Sequence, residues 1–204
     1  MGLELAEQFD WSLPDVILYP TGGGTALIAM WKAFKELRQM GFLTSETMPR
    51  MYAIQSNGCQ PMVTAYEAGE RFATRHENAR TIASGMRVPT ALGDFMVLDT
   101  VRESEGAAVS VEESRLVEWQ KRVAAAEGLL ICPEAATCIG GLEKLIEKQQ
   151  ISKDERIVIF NTAAGQKYFG TGGPLDVPSI DLTKPTDWEA FEQKYLKCDF
   201  VGSR

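Results

Sequence analysis

The stretch that most restricts how this chain can fold is residues 15–37, Asp-Val-Ile-Leu-Tyr-Pro followed by Thr-Gly-Gly-Gly-Thr and then Ala-Leu-Ile-Ala-Met-Trp-Lys-Ala-Phe-Lys-Glu-Leu. Residues 16–19 form a short apolar run rich in β-branched and aromatic side chains, the signature of a buried strand. After Thr25, the spacing of Leu27, Met30, Trp31, Phe34 and Leu37 puts them on one side of a helix. Strand, glycine turn and helix therefore follow one another directly. Glycines at such a junction let backbone N–H groups converge without Cβ interference where the helix dipole is positive, a setting that favours an anion and above all a phosphate. The plainer reading is that Gly22, Gly23 and Gly24 only turn the chain. Nucleotide fingerprints fail: Leu27 stands where G-x-G-x-x-G/A needs a small residue, no acid closes the next strand (Ala53-Ile54-Gln55), and the G-x-x-x-x-G-K-[ST] loop is missing. A compact phosphate without a nucleoside fits better.

The 28 acidic residues outnumber the 21 basic ones, giving a formal charge of −7, which argues against nucleic acid and anionic membrane as partners. Any bound anion must then be held by local dipoles. The 204 residues, 45% hydrophobic, suffice for a sizeable core. Cys59, Cys132, Cys138 and Cys198 make no C-x-x-C pair, and His76 is the one histidine, so zinc ligation is not expected and each cysteine reads as a free thiol. With neither an apolar run of membrane-spanning length nor a basic-then-apolar leader, the expected home is a reducing cytoplasm.

Taken in order, residues 2–9 read as a short helix and Pro49 precedes a second strand at residues 51–55. Pro61 opens a helix ending near Gly69, and residues 71–80 read as loop or a poorly packed helix, with His76 expected to be solvated there. Thr90 is expected to cap a helix carrying Leu92, Phe95, Met96 and Leu98. Residues 107–111 are a third strand, and Ser110-Val-Glu-Glu113 has capping-box spacing for a helix with Leu116, Trp119 and Val123 inward. Pro133-Glu134 opens another helix, residues 156–160 form a fourth strand, and residues 170–185 turn rich in Gly, Pro and Asp. Thr186-Asp-Trp-Glu189 starts a terminal helix. The alternation implies an α/β fold, a parallel sheet with helices on both faces, with ligands at the carboxyl ends of the strands. The turns after Tyr19 and Phe160 occupy such ends, so they are expected to hold the two ends of one small ligand.

Five ordered motifs then carry a resemblance: Tyr19-Pro-Thr-Gly-Gly-Gly-Thr25, Thr81-Ile-Ala-Ser-Gly-Met-Arg-Val-Pro89, Ala91-Leu-Gly-Asp-Phe95, Cys132-Pro-Glu-Ala-Ala136 and Phe160-Asn-Thr-Ala-Ala-Gly-Gln-Lys-Tyr168. In this order they resemble the C-terminal part of the threonine synthases, pyridoxal phosphate (PLP) enzymes of the tryptophan synthase β-like fold (fold type II). The resemblance runs from Gly2 to about Tyr168. It implies a large-domain half of such an enzyme over residues 1–169, with a C-terminal segment and helix over 170–204. It further implies that Gly22, Gly23, Gly24 and Thr25 hold the PLP phosphate and that Thr162 offers its hydroxyl to the pyridine nitrogen; a turn-capping hydroxyl is the alternative for Thr162. Glu134 matches a glutamate near the cofactor ring in relatives, beside the alternative of an acid placed favourably in a helix's first turn. Ser84 and Gly85 would lie beside the ring face. Arg87 would reach a substrate phosphate or, more simply, form a solvated or structural ion pair. Ala26, Thr137 and Ala163-Ala164 depart from the usual residues, small for small.

The same resemblance places the Schiff-base lysine upstream of the glycine loop, in a Ser-Phe-Lys-Asp-type motif that these residues lack; Lys35 lies on a regular helix and Lys167 on a different turn. The expectation is therefore a portion of a threonine synthase, acting in amino-acid biosynthesis on a phosphorylated amino acid, O-phosphohomoserine, and itself carrying no catalytic residue. It would be incompetent without a missing N-terminal domain and would be prone to homo-oligomerise through its uncovered faces. The runner-up readings are a fragment of a serine or threonine dehydratase of the same fold and a non-catalytic module that binds a phosphate metabolite.

Overall fold

The computed structural model describes residues 1–168, 170, 180, 181 and 183–195. The chain divides into two compact units, Met1–Thr171 and Gly172–Arg204. The first is built on four parallel strands, β1 (Val16–Pro20), β2 (Arg50–Ser56), β3 (Ala107–Val111) and β4 (Ile157–Ile159), in the order β3-β2-β1-β4. Val16 sits opposite both Arg50 and Ile157, and Tyr52 opposite Ala107.

Because successive side chains of a strand point to opposite faces, the two central strands feed two cores. Ile17, Met51 and Ala53 pack into one together with Leu5, Leu27, Phe34, Met62, Val97 and Val101, which come from α1 (Gly2–Gln8), α2 (Thr25–Gln39), α3 (Pro61–Glu67) and α4 (Asp94–Glu103). Val16, Leu18, Tyr52 and Ile54 pack into the other with Leu116 and Trp119 of α5 (Leu116–Glu127) and Cys138 and Leu145 of α6 (Pro133–Glu147). Helices thus cover both faces, as the near-continuous apolar runs of β1 and β2 require. All five apolar residues expected on the inner side of α2 are buried, and Gly41, at φ 72°, ends the helix.

The structure corrects three helix starts. Gly93, not Thr90, precedes α4, so Leu92 lies outside the helical period and is fully exposed; Met96 also faces out, and the inward face is Val97, Leu98 and Val101. Ser110 remains in β3 and donates its hydroxyl to Gln60, while a 3₁₀ turn (Glu113–Arg115) separates the strand from α5. Glu113 caps no helix. Its carboxylate accepts from the Ser56 hydroxyl and from the Ile82 N–H (2.7 Å), tying the end of β2 to the segment that carries Ser84 and Gly85. In the second unit, α7 (Trp188–Tyr195) is capped by Asp187, whose Oδ1 accepts the Ala190 N–H at 3.0 Å, in place of Thr186. Most of residues 170–185, and Cys198, lie outside the described residues. Among the described cysteines, Cys59, Cys132 and Cys138 are free and buried.

The strand order decides where a ligand can sit. β2 and β3 extend the sheet to one side of β1 and β4 to the other, so the chain changes direction between β1 and β4. The turns leaving these adjacent strands open side by side, and Tyr19 and Phe160, the residues at their mouths, meet edge to face with centroids 5.7 Å apart.

Candidate active site

At that crevice lies a cavity of about 410 Å³ lined by Gly22, Gly23, Gly24 and Thr25 of the first turn and Thr162 of the second, together with Tyr168, Gly85 and Glu134. Two turns more than 130 residues apart in sequence are thereby brought to one hollow, as one ligand spanning both requires.

The three glycines are not equivalent. A Cβ on Gly22 would lie 2.6 Å from the Gly85 carbonyl oxygen, so this glycine seats the 3₁₀ turn Ser84–Met86 against the loop. Gly24 has φ 77°, and a Cβ there would lie 2.1 Å from Val97 Cγ2. Gly23 is exposed, and its Cβ would meet nothing within 4 Å. Two glycines thus answer to the protein's own packing, whereas Gly23 has open space where a side chain would stand. Gly24 then serves as N-cap to α2, which starts at Thr25 with no side chain capping its N-terminus. The leading N–H groups of a helix need partners from outside it, and together with the positive dipole end they suit an oxyanion.

The loop is fixed from behind by Gln55, a fully buried side chain. Its Nε2 donates to the Thr21 carbonyl at 3.0 Å, and its Oε1 accepts the Met62 N–H at 2.9 Å at the start of α3. Thr21 itself donates from its hydroxyl to the Tyr19 carbonyl (2.8 Å) and from its N–H to the Ile54 carbonyl (2.9 Å).

Glu134, 4% exposed in the first turn of α6, accepts the Gly85 N–H at Oε1 (2.8 Å), whereas its buried Oε2 has no hydrogen-bond partner. A buried carboxylate oxygen without a donor is costly unless something supplies one. The phenol of Tyr168 stands beside Glu134 and Ser84; burial first, and then the neighbouring Glu134 carboxylate, raise its pKa. On the far side the Thr162 hydroxyl lies 3.7 Å from Cys132 Sγ, which itself accepts the Ala135 N–H and caps α6. The arrangement offers a backbone cradle for an anion at one end and a hydroxyl, a phenol and a carboxylate at the other, a set suited to a phosphorylated ring with polar substituents.

Of the residues singled out in the sequence, Gly22, Gly23, Gly24, Thr25, Gly85, Glu134 and Thr162 line the cavity. Ser84 is exposed and absent from the lining, beside Tyr168. Arg87 is absent from the lining and makes no ion pair among the described residues; it lines a separate hollow with Arg75, His76 and Arg80. No lysine lines the cavity among the described residues; Lys167 is exposed on the 3₁₀ turn Gly165–Lys167. Tyr168 and Gln55 were not legible as site residues. Tyr168 follows a turn folded back by the Ile131–Ala164 bridge, and the one available signal for Gln55 was an amide ending an apolar strand.

The family model described as pyridoxal-phosphate dependent enzyme matches residues 1–163. The threonine synthase of Methanocaldococcus jannaschii is 34% identical over 167 residues, 82% of this chain and 41% of the relative. The cysteate synthase of Methanococcoides burtonii is 27% identical over 186 residues, 91% of this chain and 44% of the relative. Among solved structures, maize serine racemase superposes with a TM-score of 0.60 at 19% identity, covering 95% of this chain and 50% of that one, a likeness of fold alone. The chain thus spans less than half the length of these curated relatives.

Proposed function

The chain belongs to the pyridoxal-phosphate dependent enzymes, and from that membership we propose that it carries the cofactor-binding crevice of a threonine synthase, which converts O-phosphohomoserine and water to threonine and phosphate. The observation that supports this reading most is the shared cavity: a bare and open Gly23, Thr162 from the second turn and an unpartnered Glu134 oxygen all at one hollow. PLP, when bound, supplies an electron sink for the substrate carbons. The chain's own residues bind and orient it. The backbone of residues 22–25 and the start of α2 hold its phosphate, and Thr162 meets the ring nitrogen with a neutral hydroxyl. Glu134 Oε2 accepts a hydrogen bond from the bound group while Oε1 keeps Gly85 in place. The Tyr168 phenol stays protonated against that carboxylate and serves as a donor.

Because no described residue lining the cavity is a lysine, we place the cofactor anchor and the substrate proton shuttle elsewhere, and we expect the chain alone to bind without turnover. Titration of the chain with PLP, followed by calorimetry and absorbance, tests the reading. Gly23→Ala is expected to weaken binding at least about tenfold by filling the cradle, and undiminished binding by that variant overturns the assignment. In a complete enzyme, release of phosphate from O-phosphohomoserine supports a threonine synthase, and release of ammonia from serine or threonine supports the dehydratase alternative.

A further inference from the structure

A hollow of about 730 Å³ that shares no lining residue with the glycine-loop cavity is lined by Arg75, His76, Arg80 and Arg87 with a single carboxylate, Glu77. We infer that this hollow is a second anion site, separate from the glycine-loop cavity, which takes a compact phosphate-class dianion on the guanidinium groups of Arg80 and Arg87.

Acids outnumber bases in this chain, and of the described arginines outside the hollow all but Arg38, exposed on α2, find an acceptor. Arg50 pairs with Glu155, Arg71 with Asp99, Arg115 with Glu118 and Arg122 with Glu143, while Arg102 and Arg156 donate to backbone carbonyls. At the hollow the pattern reverses. Arg80 and Arg87 make no side-chain hydrogen bond or ion pair among the described residues, and the one acid present, Glu77, stands 3.7 Å from Arg75 with both side chains largely exposed, a pair of little net strength. Like charges drawn together without a counter-charge repel one another unless an anion joins them.

The hollow is also built rather than loose. The His76 N–H donates to the Pro89 carbonyl at 3.0 Å and the Arg80 N–H to the Gly58 carbonyl at 2.8 Å, so both ends of the arginine loop are pinned to other segments. Gly58 is obligatory for that closure, because a Cβ there would lie 1.9 Å from the Arg80 carbonyl oxygen. Guanidinium forks pair with phosphate oxygens in two-point contacts, and neighbouring forks match a tetrahedral dianion better than a single carboxylate. A net charge of −7 disfavours an extended polyanion. Free phosphate and a phosphorylated amino acid share the required chemistry. The site rests on these side chains alone, and only its natural source rests on the reaction proposed above.

Calorimetric titration of the full chain with inorganic phosphate and with O-phosphoserine, at low ionic strength, tests it in three proteins: the parent, the double variant Arg80→Gln/Arg87→Gln, and Gly23→Ala. The parent and Gly23→Ala are expected to bind phosphate, and the double variant, whose exposed positions leave the circular dichroism unchanged, is expected to lose about tenfold or more in affinity. Tighter binding of O-phosphoserine than of phosphate supports a phosphorylated amino acid as the source, and equal binding supports free phosphate. Absence of phosphate binding by the parent, equal binding by parent and double variant, or loss confined to Gly23→Ala overturns the inference. A parent that binds phosphate through Arg80 and Arg87 but takes up no PLP leaves this site standing and removes the proposed function instead.

Discussion

The two walls of the crevice are held up by very different amounts of protein. The glycine wall leaves β1, whose Val16, Ile17 and Leu18 are fully buried between two strands and two cores, and Thr21 and Gln55 brace it from behind. The opposite wall leaves β4, an edge strand of three half-buried residues paired on one side only, and Thr162 is exposed. The difference implies that the glycine-loop end is rigid and preorganised before a ligand arrives, whereas the Thr162 end is free to settle on a ligand. Native-state hydrogen exchange is expected to show it directly, with the Thr21 and Ile54 amides protected and those of residues 161–164 opening readily.

Substitutions on the two walls should separate in the same way. Gly24→Ala adds left-handed strain to a collision with Val97 and is expected to cost about 3–5 kcal/mol in urea unfolding. Gln55→Leu strands the N–H groups of Met62 and Val63 and the Thr21 carbonyl, for an expected loss of about 2–4 kcal/mol. Glu134→Gln keeps an acceptor for Gly85 while replacing the unpartnered oxygen, so about 1 kcal/mol or less of stability is at stake, with a clear loss of PLP affinity. Thr162→Val on the exposed wall is expected to change stability by less than about 0.5 kcal/mol while altering the absorbance of bound PLP. A Thr162→Val penalty as large as that of Gln55→Leu breaks the comparison.

The smallest effect concerns Tyr168. Its folded-state pKa is raised, so whatever stability the protonated phenol contributes is present below the unfolded value near 10 and is lost as pH rises through the folded value. Ultraviolet titration of a Tyr168→Phe variant against the parent should remove a late-ionising phenol, and removal of an early one contradicts the assignment.

The sequence revealed the elements whose signals are local. The inward face of α2 was legible from its period, and the glycine loop from its position between strand and helix. The failures share a cause. Ser110 and Glu113 have the spacing of a capping box, but Ser110 is held in β3 opposite Gln55 and Glu113 is drawn to Ser56 and Ile82, partners distant in sequence. Leu92 matched an apolar period, yet α4 begins two residues later.

By itself the sequence determined that a strand must run into a helix through bare backbone at residues 22–24, because dihedral freedom and apolar period are properties of neighbouring residues. That β4 lies beside β1, so that Thr162 faces Gly23, was decided only by the tertiary structure, as was the use of Gly22 to seat Gly85 and the gathering of Arg80 and Arg87 around one hollow. Strand order and side-chain convergence depend on which apolar faces are buried together across the whole chain, and no local window of residues carries that information.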